Sequence, residues 1–211
     1  MADRDTLRLR LERGAAELGV VLSAEQVTLL LDYLAEFARW NRAYNLSAVR
    51  DIDKMLGRHL LDSLAVAPHI HGQRLIDVGT GGGLPGIVLA ICFPQKHFTL
   101  LDSNGKKTRF LFHVKTQLGL DNVQVENTRV ENLRPAELFD GVISRAFASL
   151  ADMTLWCDLL INQTGRFYAM KGVFPADELA SIGHSHQVHE QVSLCVPGEE
   201  GERHLLILGK R

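Results

Sequence analysis

The chain has 211 residues, of which 46% are hydrophobic and 23% charged, and its formal net charge is −2. This composition predicts a globular α/β domain with a small addition and excludes a disordered chain. Because the net charge is slightly negative, any binding of nucleic acid would have to come from local basic patches. There is no apolar run of membrane-span length, and we expect no membrane association. Three scattered cysteines indicate a reducing, cytoplasmic environment.

The first 70 residues carry helix signals. Residues 3–19 predict a helix that ends at Gly19. Ser23 begins a second helix, with Gln26 at the third position of a capping box. Apolar residues then follow at steps of three and four, as on one helix face: Val27, Leu30, Leu31, Leu34, Phe37 and Ala38. A third helix is predicted from Asp53 to Ala67, before Pro68. Residues 1–70 are therefore predicted to form a helical cap.

From Arg74 onward, strand-like and helix-like runs alternate. The strand-like runs are "RLIDV", "HFTLLD", "NVQVEN", "FDGVIS" and "GRFYAMK", and most are separated by helix-like segments. This alternation predicts a mostly parallel sheet with helices on both faces. The tail differs, because "HQVHEQVSLCVP" and "ERHLLILGKR" are joined only by "GEEG". We therefore predict an antiparallel C-terminal hairpin that completes a seven-stranded sheet, with residues 71–211 forming one compact unit.

The segment "RLIDVGTGGGLPGI" places four glycines within five residues directly after the first strand. In a doubly wound sheet, ligands bind at the carboxyl ends of the strands beside such turns. Two patterns fit equally: the dinucleotide pattern Gly81-x-Gly83-x-x-Gly86, and Asp77-x-Gly79-x-Gly81-x-Gly83 of S-adenosylmethionine (SAM) methyltransferases. A tight turn without a ligand is the third interpretation, although so many glycines destabilise a loop that needs no close approach.

Two acidic residues bear on the choice of ligand. Asp77, directly before the glycines, would repel a pyrophosphate but suits the cationic end of SAM. Asp102 ends the next strand, 19 residues after Gly83. Its carboxylate can accept hydrogen bonds from ribose hydroxyls of either cofactor, so it supports an adenosine ligand without choosing between the two.

The longer pattern "DVGTGGGLPGIVLAI" followed by "LLDSNGKKTRFL" resembles the bacterial 16S rRNA guanine-N7 methyltransferases, called RsmG or GidB. The segments "WNRAYNLSAV", "RHLLDSL", "SRAFASL" and "MKG" agree with this family in the same order. The resemblance covers nearly the whole chain. The family usually has "GSGAGFPG" where this chain has "GTGGGLPG", so Gly82 stands where alanine is usual. Glutamate is common in the family at the position of Asp102.

The resemblance implies a Rossmann-like class I SAM methyltransferase with an N-terminal helical cap. It implies that Gly79 and Leu84 contact SAM, that Asp102 holds the ribose, and that Val130 and Glu131 bracket the adenine. It also implies that Arg145 contacts SAM beside the methyl-transfer cleft. Together with the acidic and glycine positions of the loop, the candidate cofactor-binding residues are Asp77, Gly79, Gly81, Leu84, Asp102, Val130, Glu131 and Arg145.

The implied reaction methylates N7 of guanine 527 in 16S rRNA of the small ribosomal subunit. Guanine N7 carries an in-plane lone pair and needs no deprotonation, so we expect no catalytic base. Catalysis would come from positioning and electrostatics, with Arg145 as the candidate catalytic residue. Candidate RNA contacts are Arg58, His59, Lys106, Arg109 and Lys171. Each of these residues is equally compatible with an ordinary solvated surface.

Other interpretations remain open at the level of sequence. They are an NAD-dependent oxidoreductase, a SAM methyltransferase acting on a small molecule or protein, and a binding module that has lost activity. The spacing of His184, His186 and His189 is compatible with a metal site, but no cysteine or acid completes a standard set. We predict a polar surface there and no metal. The expected partner is 16S rRNA, and the expected state is a monomer.

Overall fold

The structure is a computed structural model that describes residues 3–145, 147, 149–182 and 184–211. Helix α1 spans Arg4–Glu17 and helix α2 spans Ala24–Tyr44. The side chain of Ser23 accepts a hydrogen bond from the Gln26 amide at 3.1 Å, and the Gln26 side chain accepts one from the Ser23 amide at 2.9 Å. The predicted capping box is therefore confirmed, and it fixes the start of the longest cap helix.

The third helical region is less regular than predicted. It consists of α3 (Ile52–Met55), a π-helical turn (Leu56–Leu61) and α4 (Asp62–Leu64), followed by a 3₁₀ turn at Ala67–His69. The prediction of one regular helix from Asp53 to Ala67 was wrong in this respect, because apolar spacing does not reveal a widened turn. Such π-helical turns often occur at functional sites. This one carries two of the predicted RNA-contacting residues.

Seven strands form one sheet in the order β3-β2-β1-β4-β5-β7-β6. Strands β1 to β5 run parallel, and β7 is antiparallel to both β5 and β6. The predicted fold class, a mostly parallel seven-stranded sheet with an antiparallel C-terminal hairpin, is confirmed. The strands are β1 Arg74–Val78, β2 His97–Leu101, β3 Val123–Glu126, β4 Phe139–Ser144, β5 Ile161–Lys171, β6 His186–Ser193 and β7 His204–Lys210.

Hydrophobic cores cover both faces of the sheet, as the alternation of strands and helices predicts. Alternate residues of β1 point to opposite faces, so Leu75 belongs to one core and Ile76 to the other. The larger core includes the cap helices, α5 (Gly86–Cys92) and α6 (Gly105–Gln117). The smaller core includes α7 (Leu150–Cys157). A short helix, α8 (Ala176–Leu179), follows β5.

The cap packs into the same core as the sheet, through Leu30, Phe37 and Leu60 among others. A boundary between residues 1–70 and 71–211 stays a prediction. The C-terminal hairpin differs in one detail, because β6 ends at Ser193 and not near Pro197. Residues 194–203 form a longer connection that reaches the site described below. Within the described part of the chain, no helix combines the length and apolar character that crossing a membrane requires.

Candidate active site

The glycine loop connects β1 to α5 and is held by its neighbours in the sheet. The amides of Gly79 and Thr80 donate hydrogen bonds to the Leu101 carbonyl at 2.9 and 3.1 Å. Gly79 has a φ of +71°, and a Cβ at this position would meet no protein atom within 4 Å. Glycine therefore allows the left-handed backbone here and leaves open space beside it.

Asp77 anchors the glycine loop through hydrogen bonds. Its Oδ2 accepts hydrogen bonds from the Thr80 hydroxyl at 2.7 Å and from the Gly86 amide at 2.8 Å. Its Oδ1 is buried and has no hydrogen-bond partner among the described residues. Burial raises the pKa of Asp77 to about 6, against the opposing effect of these hydrogen bonds and of Arg145. The carboxylate organises the loop, and its predicted contact with the cofactor stays a prediction.

Helix α2 of the cap also contacts the glycine loop. The Tyr33 hydroxyl donates a hydrogen bond to the Gly82 carbonyl at 2.7 Å. A Cβ at Gly82 would lie 2.4 Å from Cε2 of Phe37, which is too close for any side chain. Glycine at this position therefore accommodates the ring of Phe37, and α2 packs directly against the loop.

A first cavity of about 420 Å³ opens at the carboxyl ends of β1 and β2. Asp102 lines it and is almost fully buried, and its Oδ2 accepts a hydrogen bond from the Gly81 amide at 2.9 Å. Each carboxylate oxygen can accept more than one hydrogen bond, so Asp102 can also receive ribose hydroxyls. The described residues that line it are Val78, Gly79, Leu101, Asp102, Ser103, Thr128, Arg129, Val130, Glu131, Phe147 and Trp156.

Two aromatic residues in this lining were missed by the sequence analysis. The ring centroids of Phe147 and Trp156 lie 5.4 Å apart with an interplanar angle of 58°. Trp156 is on α7, 54 residues after Asp102 in the sequence, so no local motif joins them. The available signals were the segment "SRAFASL", which contains Phe147, and the apolar helix that follows it. Their rings give the first cavity an apolar wall suited to a purine.

A second cavity of about 320 Å³ lies beyond the carboxyl ends of β4, β5 and the start of β7. Among the described residues, the two cavities have no lining residue in common. Four of the predicted site residues lie in it: Arg58, His59, Arg145 and Lys171. The other lining residues are Val49, Asp62, Met170, Gly172, Leu194, Arg203 and His204. Arg145, predicted to contact SAM, thus lines the second cavity, and that contact stays a prediction.

Ion pairs organise the second cavity. Asp62, only 7% exposed, has its Oδ1 3.1 Å from Nε of Arg203 and its Oδ2 3.6 Å from Nη1 of Arg145. Lys171 is bound by both carboxylate oxygens of Glu178. Arg58 pairs with Glu199 at 3.1 Å. Arg145 and Arg203 share Asp62, so the four cations face three carboxylates, and the cluster keeps one net positive charge that suits a polar ligand able to accept hydrogen bonds.

His59 is a neutral wall of the second cavity. It is 4% exposed, and its Nε2 lies 2.9 Å from the Ser47 hydroxyl. Burial, together with the nearby charge of Arg145, lowers the pKa of His59 to about 4. The imidazole is therefore uncharged at neutral pH and adds no positive charge for RNA.

The remaining predicted residues lie outside both cavities. Leu84 is buried in the larger core. Gly81 contributes its amide to Asp102, as described above. Lys106 and Arg109 are exposed on α6 and line neither cavity. Their predicted roles stay predictions. The sequence analysis missed Asp62, Arg203 and His204, which come together only through the fold.

The three spaced histidines do not share one environment. His186 is 6% exposed, its Nε2 lies 2.9 Å from Oδ1 of Asp158, and its ring packs against Phe167. The prediction of a polar surface is therefore wrong for His186, although His184 and His189 are exposed. Within the described residues, no three metal-ligating side chains are grouped closely enough to hold an ion.

Comparison with known proteins adds the family context. The family model described as rRNA small subunit methyltransferase G matches residues 26–206. A protein of that name from Cellvibrio japonicus is 62% identical over 207 residues, covering 96% of this chain and 94% of the relative. Another from Saccharophagus degradans is 59% identical over 199 residues, covering 94% and 89%. Among solved structures, coclaurine N-methyltransferase bound to N-methylheliamine and SAH matches with a TM-score of 0.57 at 14% identity, covering 92% of this chain and 74% of that one.

Proposed function

The chain belongs to the rRNA small subunit methyltransferase G family, and on this premise we propose that it methylates N7 of guanine 527 in 16S rRNA. The enzyme is an rRNA methyltransferase that uses SAM. Family membership confirms the prediction of a SAM-dependent methyltransferase over that of an NAD-dependent oxidoreductase, and the role of the glycine loop in holding SAM is part of our proposal. The choice of atom and base is our proposal.

The first cavity fits the adenosine part of SAM. It combines an open backbone at Gly79, an acidic acceptor at Asp102 and an aromatic wall at Trp156. Its volume is within the range of small-molecule sites. We assign the ribose hydroxyls to Asp102 and the adenine to the space between Val130 and Trp156. This combination of backbone, acceptor and apolar wall is the observation that carries the proposed cofactor site.

When bound, SAM supplies an electrophilic methyl group on a sulfonium. Held by Gly79, Asp102 and Trp156, SAM would supply this methyl group to the lone pair of guanine N7 and would keep the electron pair of the C–S bond on its sulfur. No proton has to move in this transfer, so the chain needs no catalytic base. The residues of the chain act by holding the purine in line with the methyl group and by excluding water.

Arg145 stands where the two halves of the site meet. It follows β4, whose last residue, Ser144, donates a hydrogen bond from its hydroxyl to the Val78 carbonyl at 3.0 Å. Val78 lines the first cavity, whereas Arg145 lines the second. We propose that Arg145 positions the acceptor base for the bound cofactor. We further propose that the enzyme acts as a monomer in the cytoplasm on rRNA of the small subunit.

Mass mapping of rRNA tests this function directly. Ribosomal RNA from a strain that lacks the gene, and from the same strain carrying the gene on a plasmid, would be digested and compared. We expect 7-methylguanosine at position 527 only when the gene is present. A strain carrying Arg145→Ala is the matched control for catalysis. The same modification in the deletion strain, or a modification at another atom or base, would contradict the proposal.

A further inference from the structure

The second cavity contains a buried carboxylate that has no role in the methyl transfer proposed above. Asp62 lies on α4, lines the cavity and is 7% exposed. Arg203 approaches one of its oxygens and Arg145 the other, the latter at a loose 3.6 Å. A carboxylate held between two arginines at a cavity wall can still accept hydrogen bonds on its remaining lone pairs.

The Watson–Crick edge of guanine has a pattern of hydrogen-bonding groups that matches this pair. O6 accepts a hydrogen bond, whereas N1–H and the 2-amino group donate side by side. Arg145 offers a donor and Asp62 offers two acceptors, in the same order. Adenine presents an amino donor, an acceptor at N1 and a C–H at the third position, so its N1 would face the carboxylate acceptor to acceptor.

From this complementarity we propose that Asp62 reads the target guanine, accepting hydrogen bonds from N1–H and the 2-amino group while Arg145 donates to O6. This inference rests on the proposed function, because it takes the second cavity as the acceptor-base pocket. Arg203 fixes the orientation of the carboxylate. Since N1 and N2 lie on the side of the purine opposite N7, a base held in this way directs N7 away from Asp62.

The same contact favours the transition state over the ground state. As N7 gains the methyl group, positive charge enters the purine ring and N1–H becomes more acidic. Its hydrogen bond to the negative carboxylate strengthens at the moment of transfer. Interactions that strengthen in this way raise the rate of the chemical step and do more than tighten binding. Asp62 therefore combines base selection with electrostatic stabilisation.

Nucleotide binding tests base selection. GMP, IMP and AMP would be titrated into the protein saturated with S-adenosylhomocysteine. IMP differs from GMP only by lacking the 2-amino group, so the unmodified protein provides one test without any variant. Hydrogen bonds to charged groups lead us to expect about 10-fold weaker binding of IMP and at least 100-fold weaker binding of AMP. Equal affinities for GMP and IMP in the unmodified protein would overturn the proposal.

Asp62→Asn provides the second test, with Asp158→Asn as its control. Asp158 also lies between two basic side chains, His186 and Lys210, but lines neither cavity. We expect Asp62→Asn to lose most of its preference for GMP over AMP and to lower kcat for rRNA at least 10-fold, with unchanged affinity for S-adenosylhomocysteine. Asp158→Asn should retain the preference. If Asp62→Asn retains it too, the inference fails.

Failure of the proposed function would look different. If the unmodified protein bound S-adenosylhomocysteine but did not methylate guanine N7 in rRNA, the proposed function would be wrong. If it did methylate N7 and Asp62→Asn kept full nucleotide preference, only the role of Asp62 would be wrong. Should Asp62→Asn fail to fold, the comparison of GMP with IMP in the unmodified protein still decides the proposal.

Discussion

The two cavities lie at the same edge of one sheet but are built in different ways. The first has its open backbone and its acidic acceptor on two consecutive strand ends, with Gly79 and Asp102 only 23 residues apart, although its aromatic wall comes from Phe147 and Trp156 farther along the chain. The second is assembled from charged side chains of the cap, β4, β5 and the connection before β7. Asp62 and Arg203, which pair in it, are 141 residues apart. The residues of a binding site can therefore be predicted from the sequence where they lie close together in the chain, and not where distant segments supply them.

The largest effect is expected when a side chain is added at the open backbone of the first cavity. We expect Gly79→Val to weaken binding of S-adenosylhomocysteine at least 100-fold, because it strains a left-handed residue and fills the open space. Calorimetry measures this effect. Gly119→Val is the control, since Gly119 also has a positive φ and no atom within 4 Å, but follows α6 away from both cavities. Equal weakening in both variants would show that general destabilisation is responsible.

Removing the guanidinium of Arg145 tests whether the second cavity serves the acceptor base and the first cavity serves the cofactor. We expect Arg145→Ala to lower kcat/KM for rRNA about 100-fold, the size typical of losing one well-placed electrostatic contact. Affinity for S-adenosylhomocysteine should change less than threefold, because Arg145 lines the second cavity. Steady-state kinetics and calorimetry on the same preparation check both values.

Arg74→Ala is the matched control for this variant. Arg74 also pairs with a carboxylate, at 3.2 Å from Glu137, but stands at the start of β1, on the opposite edge of the sheet. It should keep near-normal kinetics. A large loss of cofactor affinity in Arg145→Ala would instead show that Arg145 contacts SAM, as the family resemblance implied.

The pH dependence of stability probes the loop of the first cavity. The folded-state pKa of Asp77 is raised to about 6, above its ordinary value of 3.8, because the group is buried. Its protonated form therefore favours folding. This contribution is fully present below about pH 3.8 and is lost as the pH rises through about 6.

Relative to Asp77→Asn, the unmodified protein should gain about 2 kcal/mol in unfolding free energy between pH 7.5 and 4.5. Denaturant unfolding of both proteins without cofactor measures this difference. Taking the difference removes the contribution of His59, which has the opposite sign: its pKa is lowered to about 4, so its stabilisation is lost as the pH falls from 6.5. A difference between the two proteins that does not vary with pH would contradict the buried, shifted Asp77.

The smallest expected effect concerns the aromatic wall. Trp156→Ala should weaken S-adenosylhomocysteine binding about 10-fold, in line with the stacking free energy of a base on an aromatic ring. The chain contains two tryptophans. Replacing each in turn therefore shows which of them accounts for the quenching of fluorescence by the ligand. We expect quenching by the ligand to persist in Trp40→Phe and to disappear in Trp156→Phe. Quenching that follows Trp40 would show that α7 does not contact the adenine.

The sequence predicted the sheet, its hairpin and the glycine loop because each depends on local pattern. Strand alternation, the capping box at Ser23 and the strand-end Asp102 are all visible within a few residues. The π-helical turn at Leu56–Leu61 was not predictable, because a widened turn leaves the apolar spacing almost unchanged. Nor were Trp156, Asp62 and Arg203, whose roles depend on tertiary packing between distant segments. Gly82 could be explained only once the ring of Phe37 was placed against it.

A crystal structure of the protein with S-adenosylhomocysteine and GMP bound together tests most directly whether the first cavity holds the cofactor and the second holds the guanine. We predict the adenosine in the first cavity, with its ribose hydroxyls on Asp102 and its adenine against Trp156. The guanine should occupy the second cavity, with N1 and the 2-amino group on Asp62 and N7 facing the sulfur. Guanine bound outside the second cavity, or bound there with N7 turned toward Asp62, would contradict the account.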